Sequence, residues 1–144
     1  MRVVPLEQEH VEGLRMLRNR PSIRAWFLDS REVDPEQQRA WFARYLSDPD
    51  DQMWVGLDGQ RVVAAVGLTR IDPQTAEFGR LMSDRSIPGA GRRLLRTALS
   101  ATAGIPVVFL EVKDDNLSAI ALYESEGFVM AGGAGRLLRM ELRQ

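Results

Sequence analysis

The fold is decided by Asn116-Leu117-Ser118-Ala119-Ile120-Ala121-Leu122-Tyr123-Glu124-Ser125-Glu126-Gly127-Phe128. This stretch predicts a helix from about Leu117 to Glu126, because Asn116 is a favourable N-cap and Gly127 a favourable C-cap. The run before it, Val107 to Val112, is largely apolar and strand-like. A buried strand that leads through a short link into a capped helix is typical of a sheet packed against helices.

Upstream of this unit, Gly89-Ala90-Gly91 opens a second helix, whose apolar positions are Leu94, Leu95, Ala98 and Leu99. Before that helix, Ala76 to Met82 reads as a strand. Strict alternation would direct Glu77, Gly79 and Leu81 to one face and Phe78, Arg80 and Met82 to the other, so that each face carries one charge.

Two further strands, Met53 to Leu57 and Arg61 to Ile71, flank Asp58-Gly59, which favours a tight hairpin turn. Within the second strand, Val62 to Val66 is apolar on both faces, which indicates a central strand covered on each side. At the other end of the chain, Phe128 to Ala131 and Leu137 to Leu142 predict a last hairpin around a loop at Gly132 to Gly135.

The N-terminal third predicts a short strand, Arg2 to Leu6, and a helix that ends before Pro21. Asp34-Pro35-Glu36-Gln37 has the signature of a capping box and predicts the start of another helix. Its expected inward stripe is Trp41, Phe42, Tyr45 and Leu46. Ser22 to Val33 has no clear period and is expected to be a loop or irregular helix. Strands alternating with helices indicate an α/β or α+β domain with a mixed sheet.

Composition narrows the classes of function. The 144 residues and 16.2 kDa predict one domain, and a formal net charge of −1 makes nucleic acid an unfavourable partner. The chain has no cysteine and a single histidine, so thiolate chemistry is excluded and a histidine metal cage is not expected. No segment predicts a membrane span or a signal peptide, so we expect a cytoplasmic protein that acts without a metal or a membrane.

The glycine-rich turn before the second helix is a candidate anion site. Backbone amides at a helix N-terminus bind phosphate, and the first turn here carries Arg92 and Arg93 but no acidic residue. A bound anion would relieve that unfavourable charge. The alternative is a turn in which Gly89 and Gly91 only let the chain reverse, with both arginines solvated.

The decisive stretch resembles the last motif of the acetyl-coenzyme A-dependent acyltransferases of the GNAT superfamily. The residues at matching places are Asn116, Ala119, Leu122, Tyr123, Gly127 and Phe128. Ala76 to Met82 looks like the family's fourth strand, and Gly89-Ala90-Gly91 looks like its coenzyme-binding turn. The resemblance covers essentially all of residues 1–144 and implies a mixed, mostly antiparallel sheet of about seven strands with about four helices. It also implies acetyl-coenzyme A as co-substrate and an N-acetyltransferase acting on an amine.

The turn departs from the family pattern. That pattern begins with Gln or Arg where this chain has Ser86, and Arg85 stands one place early. The stretch from Asp84 to Gly89 is about two residues shorter than in many relatives, and Pro88 has no amide hydrogen to offer.

The resemblance also implies roles for individual residues. Tyr123 would protonate or hydrogen-bond the departing thiolate, and Glu77 would accept the amine proton, usually through water. A backbone amide near Leu81 or Met82 would polarise the thioester carbonyl. The other positions implied to bind coenzyme are Gly89, Ala90, Gly91, Arg92 and Asn116. The alternatives are a packed aromatic at Tyr123, a solvent-facing Glu77 and simple N-capping by Asn116.

The N-terminal third resembles a subset of the superfamily that includes N-acetyltransferases of nucleotide-linked amino sugars. Trp26 and Phe27 would stack on a sugar or base, while Arg18, Arg24 or Arg80 would pair with a phosphate or carboxylate. The alternative is that the aromatic residues of this region are core residues, and the core is the expectation for Trp41 and Phe42.

Three functions follow from these observations. The first is acetylation of a small-molecule amine, with an amino sugar or its nucleotide as the leading acceptor and a monomer or homodimer as the assembly. The second is acetylation of a peptide or protein amine. The third is a degenerate acyltransferase fold that acts as a non-catalytic binding module, suggested by Ser86 and the short turn. A narrow pocket lined by aromatic residues and arginines favours the first, an open groove the second, and failure to bind coenzyme A the third.

Overall fold

A computed structural model describes all of residues 1–144. Seven strands, five helices and a short 3₁₀ helix, Gln8–His10, alternate along the chain. In chain order the elements are β1 Arg2–Pro5, α1 Val11–Arg18, α2 Pro21–Arg24, α3 Pro35–Ser47, β2 Asp51–Asp58, β3 Arg61–Asp72, β4 Thr75–Ser83, α4 Ala90–Ser100, β5 Val107–Lys113, α5 Leu117–Ser125, β6 Val129–Ala134 and β7 Leu137–Arg143. The expected mixed α/β class and seven-stranded sheet are confirmed, with α2 as one helix more than the four expected.

The strands form one sheet in the order β1-β2-β3-β4-β5-β7-β6. Every neighbouring pair is antiparallel except β4 and β5, which are parallel. The β2–β3 hairpin turns at Gly59, which has a φ of 62°. The sheet therefore consists of a β1–β4 half and a β5–β7–β6 half, joined by its one parallel pair.

Two hydrophobic cores lie on opposite faces of the sheet. The core beneath α4 and α5 contains Phe78, Leu94, Leu95, Leu110 and Phe128. The core beneath α1 and α3 contains Leu14, Leu17, Phe42, Val55 and Met82, and its sheet residues come from the β1–β4 half. The face of β5, β7 and β6 on the α1 side is therefore left without helices, and we call it the open face.

The helix signals read from the sequence are present in the structure. Asp34 accepts the amide of Gln37 at 2.8 Å, and the Gln37 side chain accepts the amide of Asp34, so the predicted capping box is confirmed. The Asn116 side chain accepts the Ala119 amide at 3.4 Å and caps α5. Gly127 has a φ of 99°, a left-handed conformation that glycine adopts without strain after a helix.

The predicted alternation along β4 is wrong beyond Gly79. Residues 80 and 81 lie opposite the single residue Val66 of β3, which makes a β-bulge, and Arg80 has a φ of 55°. The extra residue reverses the alternation. Met82 therefore packs in the core beneath α1 and α3, on the other face of the sheet from Phe78. The Arg80 side chain lies on the same face as Glu77.

Two smaller expectations are also wrong. Leu46 does not face inward and is 68% exposed, because the buried stripe of α3 is narrow and centres on Gln38 and Phe42. The last hairpin has a tighter turn than predicted, since β6 continues to Ala134 and takes Gly132 and Gly133 into the strand. None of the helices has the length and apolar character needed to cross a membrane.

Candidate active site

The parallel pairing of β4 and β5 ends early. Only residues Thr75 to Glu77 of β4 pair with β5, and the last pair is Glu77 with Phe109. Beyond it β4 stays with β3 and β5 stays with β7, so the two strands part. The edge of β4 that faces β5 is left without a strand partner, and its outward backbone groups are available to a ligand.

The space between the parted strands is a cleft made of two cavities, of about 310 Å³ beside the end of β4 and about 200 Å³ beside β5. Both cavities are lined by Trp26, Leu81, Asn116 and Tyr123. These four residues come from the loop after α2, from β4, from the N-cap of α5 and from the last turn of α5, so the cleft crosses the sheet at its seam.

Tyr123 lies at the centre of this cleft and is 7% exposed. Its ring packs edge-on against Phe78 at 5.7 Å between centroids and against Phe128 at 6.0 Å. Burial holds the pKa of the hydroxyl well above its usual value, and no hydrogen bond or charge opposes that shift. Tyr123 therefore carries a protonated phenol at neutral pH, while its ring belongs to the core.

Glu77 and Glu111 lie on the same face of the sheet, because Glu77 pairs with Phe109 and side chains alternate along β5. Burial raises the pKa of Glu77, and the negative charge of Glu111 raises it further. The positive charges of Arg80 and Arg139 act in the opposite direction. Glu111 lines the cavity beside β5, whereas Glu77 lines neither cavity of the cleft.

Arg80 is held flat against the sheet at the bulge. Its guanidinium donates to both carboxylate oxygens of Asp51, with Nη1 at 3.0 Å from Oδ2, and occupies the space above Gly67. A Cβ at Gly67 would lie 2.3 Å from this guanidinium, so only glycine leaves room for it. The ion pair fixes the bulge that sets the direction of Leu81 and Met82.

The turn after β4 is organised by Asp84. Its carboxylate accepts the Ser86 amide at 2.9 Å and the Arg20 guanidinium at 2.9 Å, and these bonds hold the pKa of Asp84 well below its usual range. Gly89 then adopts a φ of 74° and starts α4. The Ala90 amide bonds to the Ile87 carbonyl, whereas no turn or cap hydrogen bond uses the amides of Gly91 and Arg92.

The first turn of α4 does not carry the unbalanced positive charge that its sequence indicates. The Arg92 side chain is not free, since it donates to Glu126 and to the Ser125 hydroxyl at 2.9 Å. Glu126 is only 13% exposed and also accepts from Arg96, so α5 neutralises the first turn of α4. Arg85 is exposed at the edge of the cleft and forms no ion pair.

The residues predicted to bind the acceptor are divided between two places. Trp26 is 38% exposed and lines the cleft. Arg18, Phe27 and Arg80 line a further cavity of about 490 Å³ between α1, α3 and the sheet, which we call the α1–α3 cavity. Arg24 lines neither place and lies 3.8 Å from Glu32.

The core expectation holds for Phe42, which is 7% exposed, but not fully for Trp41. Trp41 is only half-buried and contributes to the wall of the α1–α3 cavity.

Sequence reasoning missed Glu111, Asp51 and Asp84. Glu111 follows the alternation of Val108, Leu110 and Val112, which places it on the outer face of β5. Its position beside Glu77 depends on the β4–β5 pairing, for which the sequence has no signal. The Asp51 and Asp84 partners are equally long-range.

Comparison with known proteins agrees with this geometry. The model of the acetyltransferase (GNAT) family matches residues 17–128. The chain is 36% identical over 106 residues to N-alpha-acetyltransferase RimI of Mycobacterium tuberculosis, covering 70% of this chain and 66% of RimI. It is 33% identical over 97 residues to human N-acetyltransferase 8, covering 61% of this chain and 43% of that protein. The chain thus spans less than two thirds of the length of these relatives.

Among solved structures, spermidine N-acetyltransferase from Vibrio cholerae in complex with CoA and spermine superposes with a TM-score of 0.83 at 23% identity, over 99% of this chain and 95% of that one. The fold expectation is confirmed, and the family match supports the expected acyltransferase class and acetyl-coenzyme A as co-substrate. The narrower resemblance to amino-sugar nucleotide enzymes is not confirmed, since these relatives are named for other amines. The chain belongs to the acetyltransferase (GNAT) family.

Proposed function

We propose that residues 1–144 act as one domain that transfers the acetyl group of acetyl-coenzyme A to a primary amine in the cleft between β4 and β5. The observation that carries this proposal is the position of Tyr123, a protonated phenol that lines both cavities of a cleft where the edge of β4 is open. Glu111 lines the cavity beside β5, and Glu77 lies on the same face of the sheet as Glu111.

The end of the cleft beside β4 suits the coenzyme. The free amides of Gly91 and Arg92 at the start of α4 would bind the pyrophosphate, with Gly89 and Ala90 shaping the turn. The unpaired edge at Leu81 and Met82 offers backbone groups to the coenzyme chain and a donor to the thioester carbonyl. Asn116 borders the same space while it caps α5. In this proposal Arg92 contributes its amide and not its side chain.

The chemistry is then a direct transfer. The amine nitrogen forms a bond to the acetyl carbon as the carbon–sulfur bond breaks, and the amine releases one proton. Glu77 accepts that proton, through water, because its raised pKa makes it a better base than an ordinary glutamate. Tyr123 donates a proton to the leaving sulfur, so the products are an amide and a neutral thiol.

We propose a small-molecule amine as the acceptor, because the cleft adjoins the arginine- and aromatic-lined α1–α3 cavity, with which it shares Phe27 and Arg80. An amino sugar or its nucleotide gains no support from the comparisons. A peptide α-amine is the second candidate, and the observation in its favour is the 36% identity to RimI.

The test is substitution of Tyr123 by phenylalanine. Tyr123→Phe keeps the ring packing and removes the proton donor, so kcat should fall by roughly 10²- to 10⁴-fold while calorimetric affinity for acetyl-coenzyme A stays unchanged. Tyr45→Phe is the matched control. It removes the other tyrosine hydroxyl, which accepts the Met53 amide at 2.8 Å outside the cleft, and should leave kcat unchanged.

Full activity of Tyr123→Phe would remove Tyr123 from the reaction. If the wild-type chain does not bind acetyl-coenzyme A at all, the transferase proposal fails and the non-catalytic binding module takes its place.

A further inference from the structure

The α1–α3 cavity is separate from Tyr123 yet continuous with the cleft. Residues of α1, α3, β2 and β4 and of the loop from Phe27 to Val33 enclose it, and it shares Phe27 and Arg80 with the cavity beside β5. Its volume of about 490 Å³ lies in the range of small-molecule sites. A ligand here therefore lies next to the cleft that Tyr123 lines.

Four arginines and two carboxylates line this cavity, and most of them already have partners. Arg31 pairs with Asp29 at 2.9 Å, and Arg80 pairs with Asp51. Glu32 is the second carboxylate that lines the cavity. It lies 3.8 Å from Arg24, which does not line the cavity. The two lining arginines left without a carboxylate are Arg18 and Arg44.

Arg18 is unusual in this molecule. Its Nη1 atom is the one buried side-chain nitrogen or oxygen without a hydrogen-bond partner. Nη2 donates to the carbonyl of Asp29, and the guanidinium lies 4.0 Å from the ring centroid of Phe27. Burial lowers the pKa of Arg18, the sign of a cation that has lost water. A charged donor without a partner is unfavourable until an acceptor reaches it.

Arg44 supplies a second free cation from α3. Its backbone carbonyl accepts the Ser47 hydroxyl, but its guanidinium forms no ion pair. The rest of the wall is largely apolar, with Leu14, Trp41 and Met53 among its residues. Free cations beside an apolar wall suit an organic acid better than an inorganic ion.

We propose that the α1–α3 cavity binds the carboxylate of an organic acid at Arg18 and Arg44, and that the acceptor is an amine carrying this carboxylate at a distance from its reacting nitrogen. The second half rests on the transferase function proposed above. The carboxylate supplies the counter-charge that the guanidinium groups of Arg18 and Arg44, which both line the cavity, lack. The carbon chain of the acceptor lies along Phe27 and passes Arg80 toward the carboxylates of Glu77 and Glu111.

Binding is tested first without any reaction. 3-Phenylpropanoate and 3-phenylpropanamide are titrated calorimetrically into the wild type, Arg44→Gln, Arg18→Gln and the control Arg39→Gln, which removes an exposed arginine of α3 outside the cavity. The acid should bind and the amide should not. Arg44→Gln should weaken the acid about tenfold or more, the loss expected for a charge-assisted hydrogen bond, while Arg39→Gln should change nothing.

Equal binding of acid and amide, or an unchanged affinity in Arg44→Gln, would overturn the site. The affinity of Arg18→Gln for 3-phenylpropanoate is interpreted only together with the melting temperature of this variant, since Arg18 also packs on Phe27. Arg44→Gln keeps the test decisive should Arg18→Gln unfold.

The acceptor is tested with ω-amino acids of four to eight carbons and the matching ω-amino amides, with acetyl-coenzyme A. The acids should have the higher kcat/KM, and Arg44→Gln should abolish that preference through KM. If neutral amines react as well as acids, the anionic acceptor is wrong while the transferase stands. If nothing is acetylated but 3-phenylpropanoate binds, the acid site stands and the proposed acceptor is wrong, while the transferase is judged by the binding of acetyl-coenzyme A.

Discussion

Three charged side chains act on the proton of Glu77. Burial and Glu111 raise its pKa, and Arg80 and Arg139 lower it. These side chains come from three strands, and Arg139 lies directly opposite Glu111 in the β5–β7 register. The basicity of Glu77 is therefore a property of the assembled open face and not of β4 alone.

Glu111→Gln should lower the pKa of Glu77, because it removes a like charge and leaves both arginines in place. A protonated Glu77 accepts no proton, so activity should fall at acid pH as Glu77 becomes protonated. In Glu111→Gln that fall should occur at lower pH. The check is ¹³C NMR titration of the Glu77 carboxyl, with Glu124→Gln on the exposed side of α5 as control. An unchanged Glu77 titration in Glu111→Gln would show that Glu111 does not contribute to the pKa of Glu77.

At the scale of elements, the turn after β4 combines the proposed pyrophosphate site with a carboxylate. Asp84 lines the same cavity as Gly91, where the coenzyme pyrophosphate is expected. Asp84→Asn keeps an oxygen for the Ser86 amide, removes the negative charge and frees Arg20 from its ion pair.

Asp84→Asn should therefore bind coenzyme A more tightly, by roughly twofold to fivefold, the size of one partly exposed charge pair. Calorimetry at low and high salt checks this, because the gain should shrink as salt screens it. Asp48→Asn is the control, since Asp48 caps another turn through the Asp50 amide at 2.9 Å. Weaker binding by Asp84→Asn would mean that the charge is needed to hold the turn.

Elements specified by local signals could be predicted from the sequence. The capping box at Asp34, the turn at Gly59 and the capped helix between Asn116 and Gly127 all depend on residues within a few positions of each other. The bulge at Arg80 could not be predicted. It depends on Asp51 and on the space above Gly67, both brought together by strand pairing.

The candidate site was predictable to the same extent. Tyr123, Asn116 and the glycine turn belong to short motifs, and the structure places Tyr123, Asn116 and Gly91 on one cleft. Glu111 and the free guanidinium of Arg18 depend on which segments face each other across the sheet, and alternation alone does not specify that.

At the scale of the molecule, the two halves of the sheet meet at a narrow seam. Three residue pairs join β4 to β5, whereas seven pairs join β5 to β7. A ligand in the cleft touches β4, α4 and α5 together, so it adds contacts across the seam. Binding should therefore stabilise the joint between the halves more than either half.

Coenzyme A at about 100 times its Kd should stabilise the fold by about 2.7 kcal/mol and raise Tm by roughly 5 to 11 °C. Hydrogen exchange by local opening should slow at the seam and at the start of α4, but not in the β1–β2 pairing, which lies away from the cleft.

Gly91→Glu is the control. Its Cβ meets only ordinary contacts, at 3.6 Å from Leu122, so the variant should fold while its carboxylate takes the place of the pyrophosphate. It should show neither the shift in Tm nor the protection. Equal protection of β1–β2, or a full response in Gly91→Glu, would show that the coenzyme binds elsewhere than across the seam.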